Sequence, residues 1–390
     1  MKAAYVTQYD AQDIRSWSGT GYNLARSLQE SGLELNFIGP LKNTVNPWNV
    51  ARYVLHTKLR GKNDHPQRDP GFLRNYARQA EALLARSDAD VIVAPGGLPL
   101  SYLKTELPIV LWTDCTFANL INYYPAFSDL SDRSIRNGHD CERRALHNCD
   151  LLLFSSRWAA DSAISDYGVD PARVHVVPLG SNMPDSRSKV DVDRLVSARV
   201  TRLSQRITLF TSGVSWHRKG IDIAVEVLKS LNERGIEAEL IVAGCHPPPG
   251  TTLPDNVRLL GFIPKDSQQG LEQLIEIYSS AHFFLLATRA DCTPMVLAEA
   301  GSFGLPCLAA DTGGIASMVQ DGVNGWIFNP SRNASEWADR IIEVISLPDD
   351  YAKLCRSSYE HYRKNLTWVR AGEKAFTLIR GLVEGRRVWI

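Results

Sequence analysis

The sequence predicts an α/β protein built of two parallel-sheet halves joined by a polar linker. Three observations carry that reading. Short apolar runs alternate with amphipathic helical stretches along the 390 residues, which is the pattern of strand–helix–strand units in a parallel sheet. The alternation occurs in two series, with a polar stretch at 180–189 between them. At about 150 residues per domain, the length also favours more than one core.

In the first series, residues 3–7, 34–39, 91–94, 109–113, 151–155 and 174–178 read as strands. Residues 21–31 read as the first helix, with Leu24, Ala25 and Leu28 on one face and Gly32 as its stop. Residues 66–87 and 133–148 are the other helices of this half. The second series opens with a strand at 207–212 and a helix at 220–234 closed by Gly235. Strands at 238–243, 257–260, 283–287, 307–310 and 326–328 follow. Helices are expected at 267–280, 294–303, 335–346 and over much of 351–390. Two such halves, 1–185 and 186–367, imply a cleft, because ligands of open parallel sheets bind outside the carboxyl ends of the strands.

Composition narrows the function. Hydrophobic residues make up 44% and charged residues 22%, which excludes a disordered or fibrous chain. Lys+Arg and Asp+Glu both count 43, so no overall field attracts nucleic acid, and no nucleic-acid partner is expected. The chain reaches Asp10 without a signal-peptide core, and no window holds 18 uncharged apolar residues; a cytoplasmic protein is the expectation. The seven cysteines (115, 141, 149, 245, 292, 307 and 355) form no C-x-x-C pair, and several lie in apolar runs, as reduced thiols do. No Cys/His quartet has zinc-ligand spacing, so no metal site is expected.

The segment from Arg289 to Pro306 is the richest in chemistry. A buried strand runs into a polar turn and then a helix beginning near Pro294, where proline is tolerated because the first amides have no intrahelical partner. The amides of Met295 and Val296, at the positive end of the helix, suit a phosphate. Asp291 precedes the helix and Glu299 lies one turn inside, so the two acids fit hydroxyls that flank a phosphate. The alternative makes Asp291 a helix cap and Glu299 a solvated residue. Against it, Val296, Leu297, Ala298 and Ala300 give Glu299 apolar surroundings, where a carboxylate needs a partner.

In the loop after strand 207–212, Arg218 and Lys219 directly precede a helix. Adjacent cations there oppose the helix dipole, so a negative ligand would offset the cost; an exposed basic turn is the other reading. His217 reads as a surface histidine. Gly313 and Gly314 serve either a close backbone approach to a ligand or a tight turn.

The run from Gly213 to Pro330 resembles the nucleotide-sugar half of the retaining family-4 glycosyltransferases. Their fold is GT-B, two Rossmann-like domains facing across a central cleft. The family's E-x7-E motif reads Asp291-x7-Glu299 here. The stretches Gly304-Leu-Pro-Cys-Leu-Ala-Ala-Asp-Thr-Gly-Gly-Ile, Asp321-Gly-Val-Asn-Gly-Trp-Ile and Val176-Val-Pro-Leu-Gly-Ser-Asn follow the same pattern. The resemblance implies metal-independent, retaining transfer of a sugar from a UDP- or GDP-linked donor to a hydroxyl of a sugar, glycan or lipid-linked acceptor, with no cofactor.

It also implies roles. Glu299 accepts hydrogen bonds from the donor's ribose, Asp291 touches the transferred sugar, and the backbone of Thr293, Pro294, Met295 and Val296 holds the diphosphate. Arg218 and Lys219 neutralise the departing diphosphate, Gly213 lies among the donor-binding positions, and the turn at Ile263 flanks the base. In the first half, Gly19 and Gly21 match a glycine loop near the donor phosphates. Asp114 follows a buried strand at a place where related enzymes hold a polar residue; a cap or turn residue is the other reading. The last helix, 368–390, resembles the family tail that packs back on the first domain. Two positions depart from the pattern: Asp291 stands where glutamate is usual, and Val214 where the family's arginine commonly lies, Arg218 adjoining Lys219 instead.

A nicotinamide oxidoreductase is disfavoured, since Leu24 replaces the third glycine of G-x-G-x-x-G and no acid ends the second strand near Gly39. Another GT-B enzyme, a sugar phosphorylase or a sugar-nucleotide epimerase, is an alternative, as is a non-catalytic sugar-nucleotide-binding protein. Residues 48–62 mix Arg52, Lys58, Arg60 and Lys62 with Val50, Val54, Leu55 and Leu59. They read as a surface helix or as an interfacial helix that touches a membrane.

Overall fold

Strands made wholly of buried apolar residues run through the middle of both halves, as strands covered on two faces must. The computed structural model describes residues 1–43, 52–54, 57–58, 61–184, 187–331 and 333–385. Among these, twelve strands form two parallel six-stranded sheets, an α/β architecture in agreement with the sequence. The chain divides into two compact units, 1–179 with 368–390 and 180–367. The division falls at 179/180 rather than 185/186. Ser181 N–H donates to the Leu366 carbonyl at 3.2 Å, which ties the intervening stretch to the second unit.

The first sheet contains β1 (Lys2–Val6), β2 (Glu34–Ile38), β3 (Val91–Ala94), β4 (Ile109–Thr113), β5 (Leu151–Phe154) and β6 (Val174–Val176), in the order β2-β1-β3-β4-β5-β6. Its helices are α1 (Thr20–Glu30), α2 (Pro70–Leu84), α3 (Phe117–Leu120), α4 (Asp132–Asn148) and α5 (Arg157–Ser165). The second unit holds α6 (Lys189–Arg202), β7 (Ile207–Ser212), α7 (Ile221–Glu233), β8 (Ala238–Ala243), β9 (Val257–Leu259) and α8 (Gln268–Ser280). It continues with β10 (Phe283–Leu286), α9 (Met295–Gly301), β11 (Cys307–Ala310), β12 (Gly325–Phe328), α10 (Ala334–Ile345) and α11 (Pro348–Asn365). The last helix, α12 (Trp368–Val383), packs against α1 of the first unit.

The second sheet runs β12-β11-β10-β7-β8-β9. Strand order therefore reverses between β7 and β10. Such a reversal opens a crevice where ligands of parallel sheets bind. The corresponding reversal in the first sheet lies between β1 and β3.

Several expectations are corrected. Helices α5 and α6 have no counterpart in the sequence reading. The buried face of α5 is Ala159, Ala160, Ser162 and Ala163, too small and polar to give an apolar stripe. On α6 that face is Val192, Val196 and Arg199, and the buried guanidinium of Arg199 donates to the carbonyls of Gly304 and Tyr278, both at 2.9 Å. A charge inside the stripe masks the period. The helix expected over 66–87 begins only at Pro70, whose ring forces Asp69 into an extended conformation (φ −71°, ψ 142°). The loop at 311–315 leads into a single 3₁₀ turn, Ile315–Ser317. The final helical stretch is two helices that break at Leu366 and Thr367.

Most of the 48–62 segment lies outside the described residues. Arg52, which is described, turns inward to Asp64 (3.4 Å) and Asp69 (2.5 Å). Among the described residues no helix is long and apolar enough to cross a membrane.

Candidate active site

Loops 213–220 and 287–294 emerge at the reversal between β7 and β10, and side-chain and backbone bonds join them. Arg289 N–H donates to the Arg218 carbonyl (2.7 Å), the Thr288 hydroxyl donates to the same oxygen (2.9 Å), and Arg218 Nη1 donates to the Ala290 carbonyl (2.8 Å). Arg289 also forks onto Asp222 at 2.9 and 2.8 Å and donates to the His217 carbonyl at 2.6 Å. Burial works to raise the Asp222 carboxyl, but the Arg289 hydrogen bonds and charge outweigh it and hold the group below its usual range. The His217 ring is exposed.

Within this frame Lys219 Nζ lies 2.5 Å from Asp291 Oδ2, both side chains being only about a tenth exposed. Arg218 Nη1 is 4.0 Å from the same oxygen. The Lys219 stem crosses over Gly213, where an added Cβ would stand 2.4 Å from Lys219 Cγ. Asp291 is not a helix cap: Pro294 takes the N-cap of α9 and offers no side-chain acceptor to the first-turn amides of Met295 and Val296. The structure thus brings Gly213, Arg218, Lys219 and Asp291 together beside the start of α9.

Glu299, on the second turn of α9, is fully buried rather than solvated. Its Oε2 accepts from the Tyr278 hydroxyl at 2.9 Å and its Oε1 from Lys265 Nζ. Burial, and then the carboxylate beside it, push the Tyr278 phenol well up. Sequence reasoning missed both partners. The apolar neighbours of Glu299 signalled that it needs one, but nothing along the chain said which. The Ile263 side chain is buried, while Phe262 beside it is exposed.

In the first unit, Gly19 caps α1 with φ 83°, and Gly21 packs so tightly that an added Cβ would lie 2.3 Å from the Tyr9 oxygen. Burial and the nearby Asp114 charge together push the Tyr9 phenol up. Asp114, after β4, accepts at its Oδ1 from Cys115 Sγ at 3.3 Å. The loop carrying Asp114 continues into α3, where Arg68 lies 4.6 Å over the Phe117 ring and 3.7 Å from Glu142 Oε2. Burial pushes Glu142 up to about 7 against Arg68 and the Phe117 hydrogen bond. A raised folded-state value favours the neutral acid, so this group removes stability as pH climbs from the ordinary glutamate value through about 7. Glu142→Gln, neutral throughout, is expected to flatten the fall in Tm between about pH 5 and pH 8. Melting curves that fall as steeply as the wild type's contradict the assignment.

Residues 20–183 match the family described as Glycosyltransferase Family 4, and residues 205–346 match Glycosyl transferases group 1. The D-inositol 3-phosphate glycosyltransferase of Mycolicibacterium smegmatis is 30% identical over 338 residues, covering 81% of this chain and 73% of that protein. The chain belongs to the family-4, group 1 glycosyltransferases. The namesake from Corynebacterium efficiens is 23% identical over 70% of this chain, which spans 65% of its length. With several of these relatives the match spans less than two thirds of the relative.

Solved structures agree on the fold of this family-4 protein. Sucrose-phosphate synthase from Thermosynechococcus elongatus has a TM-score of 0.66 at 15% identity, covering 99% of this chain and all of that one. Anabaena HepE, solved in complex with UDP, scores 0.64 at 16% identity over 98% and 100%. Both likenesses are of the GT-B type that the sequence resemblance implied.

Proposed function

We propose that the protein transfers a sugar from a nucleoside diphosphate to an acceptor hydroxyl, with retention at the anomeric carbon and without a metal ion. The observation that carries this reading is the Lys219–Asp291 pair, with Arg218 beside it, at the strand-order reversal of the second sheet. When the anomeric C–O bond breaks, its electron pair stays on the diphosphate and the sugar becomes oxocarbenium-like. Fixed cations aimed at that growing charge lower the barrier, and they do for the diphosphate what a divalent ion would do elsewhere. The acceptor oxygen then bonds to the anomeric carbon on the face the diphosphate leaves, and its proton passes to the departing phosphate.

In this reading Asp291, which accepts from Lys219, meets the hydroxyls of the transferred sugar, and Glu299 those of the ribose. UDP is the first nucleotide to try, because HepE binds it. A phosphorylated cyclitol is the first acceptor, because the relatives are named for D-inositol 3-phosphate. The buried thiols of Cys141, Cys149, Cys307 and Cys355 suit a reducing compartment, and a cytoplasmic reaction is part of the proposal.

The test is turnover of UDP-, GDP- and ADP-sugars with inositol phosphates, with and without EDTA. Product whose anomeric proton coupling matches the donor's, formed at an undiminished rate in EDTA, is the expected result. Activity lost to EDTA and restored by Mg²⁺ would refute metal independence. Phosphorolysis or epimerisation of the donor in place of transfer would refute the reaction type.

A further inference from the structure

The two groups on Glu299 differ in how they reach it. Tyr278 is fully buried on α8 and stacks on Phe303 at 5.1 Å, so it is a fixed donor to Oε2. Lys265 sits in the turn after the carboxyl end of β9, and its side chain is 41% exposed while that of Glu299 is 1% exposed. Its ammonium therefore comes to Oε1 from the solvent side, where a ligand on the carboxyl edge of the sheet also arrives. The turn has a defined frame. Gly244 N–H donates to the Gly261 carbonyl at 2.6 Å, and the Ser267 hydroxyl caps α8 by accepting from Gly270 N–H at 3.1 Å.

Two physical arguments give this arrangement a purpose. A carboxylate oxygen has two lone-pair sites, so Lys265 occupies one on Oε1 and leaves another for a hydroxyl. A fully buried carboxylate close to a diphosphate site would also repel the incoming anion, and a paired ammonium removes that penalty.

We infer that Lys265 is a positioning residue for the nucleoside's ribose: it neutralises Glu299, aims it at the vicinal hydroxyls, and makes the subsite select ribonucleoside over deoxyribonucleoside diphosphates. The inference rests on the nucleotide-donor reading above. Lys265 takes no part in bond breaking and acts through Glu299.

Calorimetric titration of wild type, Lys265→Met and Lys265→Arg with UDP, GDP and ADP, and with the 2′,3′-dideoxy form of whichever binds, tests it. Wild type is expected to prefer the ribose form by about tenfold or more, since the dideoxy form offers no hydroxyl to the remaining acceptor site of the buried carboxylate. In Lys265→Met both forms weaken through the uncompensated Glu299 charge, the ribose form by more because the carboxylate is no longer aimed at its hydroxyls, so the preference falls towards one, and Lys265→Arg recovers most of it. Should Lys265→Met melt below the assay temperature, Lys265→Gln takes its place in the same comparison. A variant that loses affinity equally for both forms, or keeps the wild-type ratio, overturns the inference and leaves the donor reading standing. A wild type that binds none of the three nucleotides overturns the donor reading and this inference with it.

Discussion

Replacing Lys219 with alanine is expected to lower sugar transfer by about 100- to 1,000-fold, the usual cost of losing one fixed donor to a developing oxyanion. The geometry leaves this ammonium little freedom. Its stem lies across Gly213, its Nζ is 2.5 Å from Asp291, and the side chain is 12% exposed. Arg218 is the weaker substitute, because it is 4.0 Å from Asp291 and already donates to the Ala290 carbonyl. The extra negative charge on the diphosphate appears as the anomeric bond breaks, so kcat should fall more than the donor KM rises. The fold should survive, since Asp291 keeps Arg218 as a neighbour and no apolar core is opened. Steady-state rates and a thermal melt on the same preparation decide it. Turnover within about threefold of the wild type would remove Lys219 from the chemistry, since one lost donor costs far more than that.

The strands were legible because each is a short apolar run between polar turns. The strand read at 207–212 is β7, Ile207–Ser212, and the one read at 91–94 is β3. Their order was not legible. Nothing local in the chain says that β10 lies against β7, yet that adjacency brings Lys219 within hydrogen-bonding distance of Asp291, 72 residues away. Local composition did reveal that Glu299 needs company, since its neighbours along the helix are apolar. It did not name Lys265 and Tyr278, which come 34 and 21 residues earlier through tertiary packing. Helix α6 escaped for a related reason. Arg199 reads as a surface residue until the carbonyls of Gly304 and Tyr278 are seen to receive it. In each case a polar side chain is justified by a partner distant in sequence, and pattern reading works only over neighbours.

Gly220→Ala should be the most destabilising single change at this site. Gly220 is the N-cap of α7, with φ 67° and ψ 32°, and an added Cβ would stand 1.8 Å from the Ala287 carbonyl oxygen. Left-handed backbone costs an L-residue about 1–2 kcal/mol. Relieving the overlap costs about 1–3 kcal/mol more, because Ala287 directly follows β10 and is itself buried. A total of about 2–5 kcal/mol is a large share of a domain's stability and corresponds to a fall in Tm of roughly 4–20 °C. Any relief must push loop 213–220 away from 287–294, so Lys219 and Asp291 separate and nucleotide binding weakens along with the melt. Gly261→Ala is the control that separates the two costs. It has a similar φ of 65°, but the nearest atom to its added Cβ is the His246 ring nitrogen at 3.1 Å, the end of a side chain that can turn aside. It should lose only the conformational part, about 1–2 kcal/mol. Equal losses in the two variants would mean that the contact with Ala287 does not hold the loops together; a much larger loss at Gly220 would mean that it does.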